Sequence, residues 1–152
     1  MKIVWGKQYE IGIGVIDNQH QRIVEYINEL DRISSLAAPR EAVKEVFDNL
    51  IDYTFSHFAF EEALMEEAGY QDVDVHRLSH ETFTRQITAI QQRFDQGDAV
   101  IEQLSEVLLQ WLLVHIANDD VSYSALVKQN IIGKGAEAHK SWVSQAVRRF
   151  FG

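Results

Sequence analysis

The stretch Ser56-His57-Phe58-Ala59-Phe60-Glu61-Glu62 decides how this chain is read. Upstream of it, Val43, Val46, Phe47, Leu50 and Thr54 recur at the spacing of a helix face turned to a core. The next positions of that face are His57 and Glu61, four apart and therefore on one side of the helix. A carboxylate buried alone is costly, or takes up a proton, unless a strong partner meets it. A core-facing Glu beside histidine points to a metal. Just downstream, His76-Arg77-Leu78-Ser79-His80 repeats the same spacing with two imidazoles.

Outward from this stretch, the sequence reads as helix almost throughout. It has 152 residues, 46% of them hydrophobic, which suffices for one domain with a real core and argues against two. One domain over 1–152 is expected. One proline and eight glycines leave long runs without helix breakers. Asp17 is placed to cap a first helix to about Leu36, with His20, Ile23, Val24, Ile27, Leu30 and Ile33 on one face. Pro39 suits the first turn of a second helix, which Gly69 ends. A third runs from about Val73 to Gln96, with His76, His80, Phe83, Ile87, Ile90 and Phe94 in one seam. Asp98 is the expected cap of a fourth, to about Lys128, which carries Ile101, Leu104, Leu108, Trp111, Leu112 and His115.

Four helices of roughly 30 to 45 Å joined by short links predict an all-α fold, an antiparallel up-down-up-down four-helix bundle. Residues 1–16, with Trp5, Tyr9, Ile11, Ile13 and Val15 among glycines, read as an extended N-terminal arm packed on the body. Gly133 and Gly135 interrupt the chain before a short C-terminal helix with Trp142, Val143, Ala146, Val147 and Phe150 on one side, a strip that covers the bundle. His139 is expected to be a surface or packing residue.

Charge and composition narrow the function. A formal net charge of -9 argues against nucleic acid or an anionic membrane as partner. No run approaches the roughly 20 apolar residues of a membrane span, and the start lacks the apolar core of a signal peptide, so a cytoplasmic protein is expected. With no cysteine, disulfides, thiolate nucleophiles and thiolate-held metals are excluded. Any metal is held by nitrogen and oxygen.

In an antiparallel bundle His20, His57 with Glu61, His76 with His80, and His115 all fall in one layer at one end, on interior faces. Five such histidines and a core Glu cannot all satisfy one another as donors and acceptors, and burial opposes protonating them. On a straight fourth helix Asp119 shares the face of His115, whereas Asp120 stands about 140° away. A local widening of the helix, of a kind found at functional sites, would bring Asp120 round instead. Imidazole and carboxylate suit iron, manganese or zinc alike.

The set His20, His57-x-x-x-Glu61, His76-x-x-x-His80 and His115-x-x-x-x-Asp120 resembles the hemerythrin motif, and the resemblance to stand-alone bacterial hemerythrins runs from Val4-Trp5 through Ile16-Asp17-Asn18-Gln19-His20 to His115-Ile116. It implies two iron ions bridged by Glu61, Asp120 and an oxide or hydroxide. In that assignment Asp120, not Asp119, is the ligand. His76, His80 and His115 complete one iron, while His20 and His57 hold the other and leave it one position short. Dioxygen is the implied ligand, bound without help from a protein acid. The resemblance also places Ile23, Phe58, Trp111, Leu112 and Ile116 around the oxygen.

Ferritin-like di-iron enzymes rely on Glu-x-x-His pairs and more carboxylates. Here the residues three before each histidine are Asp17, Thr54, Val73, Arg77, Leu112 and Ala136, so no such pair exists. Fewer anionic ligands favour reversible oxygen binding over substrate oxidation. A carrier, store or sensor that is not an enzyme, and that acts as a monomer, is the expectation. The rival is a di-iron enzyme acting on peroxide or nitric oxide, or an iron donor for cluster repair. With no linker or second domain after Arg148-Arg149-Phe150-Phe151-Gly152, a built-in signalling input is the weakest of the three readings.

Overall fold

The computed structural model describes residues 4–131 and 136–152, apart from the side chains of Asp119 and of residues 136–141. Its elements are a short 3-10 turn over Lys7–Tyr9 and helices α1 (Gly14–Ser35), α2 (Arg40–Ala68), α3 (Val73–Asp95), α4 (Ile101–His115), α5 (Val121–Asn130) and α6 (Ala136–Phe151). A π-helical turn, Ile116–Asp120, joins α4 to α5, so the two continue as one rod. No strand occurs among the described residues.

α1 packs on α2 and α4, and α3 on α2 and α4, which closes a ring of four rods. The links are short, residues 36–39, 69–72 and 96–100, so neighbours in sequence run antiparallel. This is the expected up-down-up-down bundle. Gly69 ends α2 in the left-handed region, φ 78°, where a side chain would be strained, and its amide closes back on Met65 and Glu66. Asn130 at the end of α5 donates to the Ala68 carbonyl at 2.7 Å, which ties the ends of two rods together.

Three boundary expectations need correction. Asp17 does not cap α1, which starts three residues earlier at Gly14. Its buried carboxylate instead accepts the backbone N–H groups of Ile11 at 2.8 Å and Gly12 at 3.0 Å. Asp17 therefore pins the arm to the bundle. Asp98 does not cap α4 either, because the helix begins at Ile101 after Val100, and Asp98 lies 3.5 Å from the Arg93 guanidinium instead. Pro39 stands just before α2, where its missing N–H costs nothing. The expected break at Gly133 and Gly135 and the side chain of His139 lie outside the described residues.

The bundle has a dry end and a polar end. At the dry end Leu30, Leu50 and Leu104 are fully buried and Phe47 meets Phe94 edge-on at 5.5 Å. Each such side chain contributes about 1.5–3 kcal/mol on burial. That apolar half offsets the desolvation of the charged groups gathered at the other end. α6 lies along α2, where Phe60, 0% exposed, is enclosed by Trp142, Phe150 and Phe151 at ring distances of 6.0–6.4 Å. It is the covering strip the sequence predicts. No described helix is long and apolar enough to cross a membrane.

Candidate metal centre

Four rods contribute to one buried cluster. α1 supplies His20, α2 supplies His57 and Glu61, α3 supplies His76 and His80, α4 supplies His115, and the π-helical turn supplies Asp120. None of the seven is more than 4% exposed. Glu61 is the hub. Its Oε1 lies 2.5 Å from His76 Nε2, 3.1 Å from His80 Nε2 and 3.3 Å from His115 Nε2, while its Oε2 lies 3.2 Å from His57 Nε2. Asp120 faces it across the cluster, with Oδ2 3.0 Å from His20 Nε2 and Oδ1 3.0 Å from His115 Nε2 and 3.3 Å from His76 Nε2.

The donor atoms divide into two overlapping groups. Glu61, His76, His80 and His115 form one, and His20, His57 and Glu61 the other, each within the span of a single ion's ligands. Asp120 touches members of both. The seven residues singled out from sequence are thus brought together without exception.

The π-helical turn explains how Asp120 joins them. A π turn holds an extra residue, so the side chain five positions after His115 comes back to its face, where a straight helix would return the one four positions after. Asp120 is 0% exposed. The straight-helix geometry that favours Asp119 does not apply to this segment, and the Asp119 side chain lies outside the described residues.

Protons alone do not satisfy this cluster. A neutral imidazole donates from one nitrogen only. His57 spends its Nδ1–H on the buried Gln19 Oε1 at 2.6 Å, so its Nε2 presents a lone pair to the lone pairs of Glu61 Oε2 at 3.2 Å. Burial pushes the His57 pKa down despite the Glu61 carboxylate, which keeps that ring neutral. Elsewhere His20 Nδ1 and Nε2, Glu61 Oε2 and both Asp120 oxygens are buried without a hydrogen bond, even where nitrogen and oxygen approach to 3.0 Å. Buried lone pairs this close together, with no hydrogen bond between them, are what a cation placed among them would satisfy.

The electrostatics agree. Burial pushes Glu61 up, but the rings of His115, His57, His76 and His80 outweigh it and hold the carboxyl well below the usual carboxylate range. Burial and the Glu61 charge push Asp120 up, and His115 and His20 bring it below its ordinary value. Both carboxylates stay anionic. His76 is lowered by burial yet raised further by Asp120 and Glu61, to about 9. Positive charge belongs at this point.

Phe58 stacks on His80 at 4.0 Å and 11° and its ring also lies 6.0 Å from that of His57, while Trp111 stacks on His115 at 4.3 Å and 15°. Ile23, Leu112 and Ile116 are buried at 2%, 2% and 4% exposure. A cleft of about 230 Å³ between α2 and α3, lined by Phe55, Phe58, Glu62, Arg77 and His80, meets the site at His80. Another, beside Tyr70, Val75 and Ser122, meets it at His76.

Sequence reading missed four neighbours. Gln19 orients His57; Glu62 lies 3.3 Å from His80 Nδ1; the fully buried Tyr123 ring sits 5.6 Å from His76; and Trp5 of the arm lies 6.4 Å from His20. Gln19 and Glu62 adjoin ligand positions in sequence, and that adjacency was the available signal. The sequence predicts that the arm packs Trp5 on the body, and the structure shows that its partner there is His20.

Fold and site together define a helical-bundle protein with a buried, thiolate-free cluster of imidazoles and carboxylates that could hold metal. The Hemerythrin HHE cation binding domain matches residues 11–126, and the chain belongs to the hemerythrin family, a di-iron oxygen-binding fold. It is 42% identical over 152 residues to the bacteriohemerythrin of Stenotrophomonas maltophilia, covering 99% of this chain and 98% of that one. It is likewise 42% identical over 151 residues to the bacteriohemerythrin of Pseudomonas aeruginosa, with the same coverage. A crystal structure of wild-type hemerythrin superimposes with a TM-score of 0.74 at 28% identity, over 82% of this chain and 97% of that one. α6 lies beyond the segment matched by the family domain.

Proposed function

We propose that this chain holds two iron ions between Glu61 and Asp120, His76, His80 and His115 serving one and His20 and His57 the other, and that it binds dioxygen reversibly as a carrier, store or sensor. The observation that carries this reading is the His57 Nε2 lone pair facing a Glu61 oxygen at 3.2 Å while Nδ1 is committed to Gln19. When bound, the iron pair would supply the electrons that dioxygen takes up.

The protein's part is positioning and exclusion. Glu61 and Asp120 are the residues that reach both donor groups, so they are the proposed bridges, with an oxide or hydroxide between them. His20 and His57 bring fewer side chains to their half than His76, His80 and His115 bring to theirs, which leaves room there for one small molecule. Ile23, Leu112 and Ile116 are buried and lie within one helical turn of ligand positions in sequence, so they are the proposed residues that would keep water from a bound pair. Neither carboxylate serves as an acid, since both are held in their anionic form.

Support for binding over turnover comes from access. The clefts described above end on His76 and His80, whereas His20 and His57 are 0% exposed. An enzyme that consumes hydrogen peroxide needs a path for a polar reactant to the less crowded half, whereas nitric oxide, a small diatomic like dioxygen, is separated from it by the reversibility test and not by access. The test is metal analysis with an absorption spectrum of the anaerobically reduced protein, repeated in air and again under vacuum. Two irons per chain and a spectrum that reverts are expected. One iron, or an oxygenated form that does not revert, overturns the reading.

A further inference from the structure

The two donor groups have different outer partners. His57 leans on Gln19, a neutral amide, across 2.6 Å. His80 leans on Glu62, whose Oε2 lies 3.3 Å from Nδ1. Glu62 is itself held: its Oε1 accepts from Arg77 Nε at 2.6 Å, and the same guanidinium donates to Glu66 at 2.7 Å and to Asp74 at 3.1 Å. Glu62 is only 19% exposed, so its charge acts through little water. Phe58, stacked flat on the His80 ring, fixes the plane of the imidazole. Of these two imidazoles, only His80 is backed by a fixed anion.

A carboxylate that accepts Nδ1–H does two things to an imidazole. It fixes the tautomer, so that Nε2 carries the lone pair, and it pushes electron density towards that nitrogen. An amide does the first and little of the second. We propose that Glu62, held by Arg77, is a positioning residue for His80, and that through it Glu61, His76, His80 and His115 take their ion before, and more tightly than, His20, His57 and Glu61. The proposal rests on the reading that both groups hold ions.

The test uses metal-free full-length protein titrated anaerobically with cobalt(II), whose visible absorption reports the number and type of donors. Wild-type protein fills in two steps. Glu62→Gln keeps the shape of the side chain and removes its charge, and it weakens the first step about 10–100-fold while the second stays as it was. Glu62→Asp, with the charge on a shorter arm, recovers part of the loss, and Arg77→Gln moves the first step in the same direction by less. A nitrogen-15 spectrum of the rings shows the His80 Nδ1–H resonance shifted upfield in Glu62→Gln.

A Glu62→Gln protein that takes the first ion as tightly as wild type, with that resonance unmoved, overturns the proposal and leaves the paired site standing. Equal weakening of both steps also overturns it, since that marks general loosening. Wild-type protein that binds no cobalt overturns the paired-metal reading and the proposal together.

Discussion

His57 Nδ1 donates to Gln19 Oε1 across 2.6 Å inside the bundle, and through that one bond α1 dictates which nitrogen of an α2 histidine faces the metal cluster. Gln19→Leu fills similar space without an acceptor. It leaves a buried N–H unpaired, at a cost of about 1–3 kcal/mol, and frees the ring to flip its tautomer. The expected outcome is a lower melting temperature together with loss of ions from the His20 and His57 half, read by calorimetry and metal analysis on the same sample. A variant that retains both ions at wild-type affinity would show the amide to be a packing group only.

Metal removal tests how much of the fold depends on the centre. The dry end keeps its core, so the chelated protein remains helical. Each ion present at about 100 times its dissociation constant stabilises the folded form by about 2.7 kcal/mol, so a pair contributes about 5.4 kcal/mol, or roughly 11–22 °C in a chain of this size. Differential scanning calorimetry before and after chelation reads this difference; collapse of the circular dichroism signal on chelation would mean that the centre nucleates the bundle.

The metal-free protein has a pH dependence whose sign follows from His76. Its pKa, pulled down by burial but raised more by Asp120 and Glu61, stands at about 9 against an ordinary 6.5. A raised value stabilises the fold fully below 6.5, and that contribution is lost as pH climbs through 9. The difference in melting temperature between metal-free wild type and metal-free His76→Gln is therefore largest near pH 6 and shrinks towards pH 9.5. A difference that grows over this range contradicts the assignment.

Leu112 lies one helical turn before His115 and is 2% exposed. Leu112→Ala removes a buried side chain at about 2–5 kcal/mol and opens space that water can enter. On the proposed oxygen-binding reading the oxygenated form then decays to the ferric form faster, as followed by stopped-flow absorption. Unchanged decay would remove Leu112 from the group that keeps the site dry.

α6 carries none of the seven clustered side chains, yet it encloses Phe60 on the α2 stretch that bears His57 and Glu61. Truncation after Asn130 leaves Phe60 and Tyr53 without the rings of Trp142 and Phe151. The shortened protein is expected to bind a hydrophobic dye and melt earlier while still taking up metal. If metal uptake is lost as well, α6 must hold α2 in register and not merely cover it.

By itself the sequence determined the helices and the depth of the histidines. Apolar spacing of three and four marks the buried faces, and because short links force antiparallel order, His20, His57, His76, His80 and His115 had to meet at one end. Identity of the donors followed from the absence of cysteine and from Glu61 standing on a core face. Resemblance, not spacing, pointed to Asp120.

Tertiary structure decided what depends on paths between elements. The π-helical turn that swings Asp120 inward is a local backbone choice that helical periodicity cannot express. Asp17 and Asp98 look like caps because capping preference is a local tendency, but a carboxylate goes to whichever N–H or guanidinium the fold brings closest, here Ile11 and Gly12 for one and Arg93 for the other. The unequal partners of His57 and His80 likewise exist only once α1 is docked on α2 and α3 on α2. They are contacts between side chains 38 and 18 residues apart, and only the packed bundle brings them within reach.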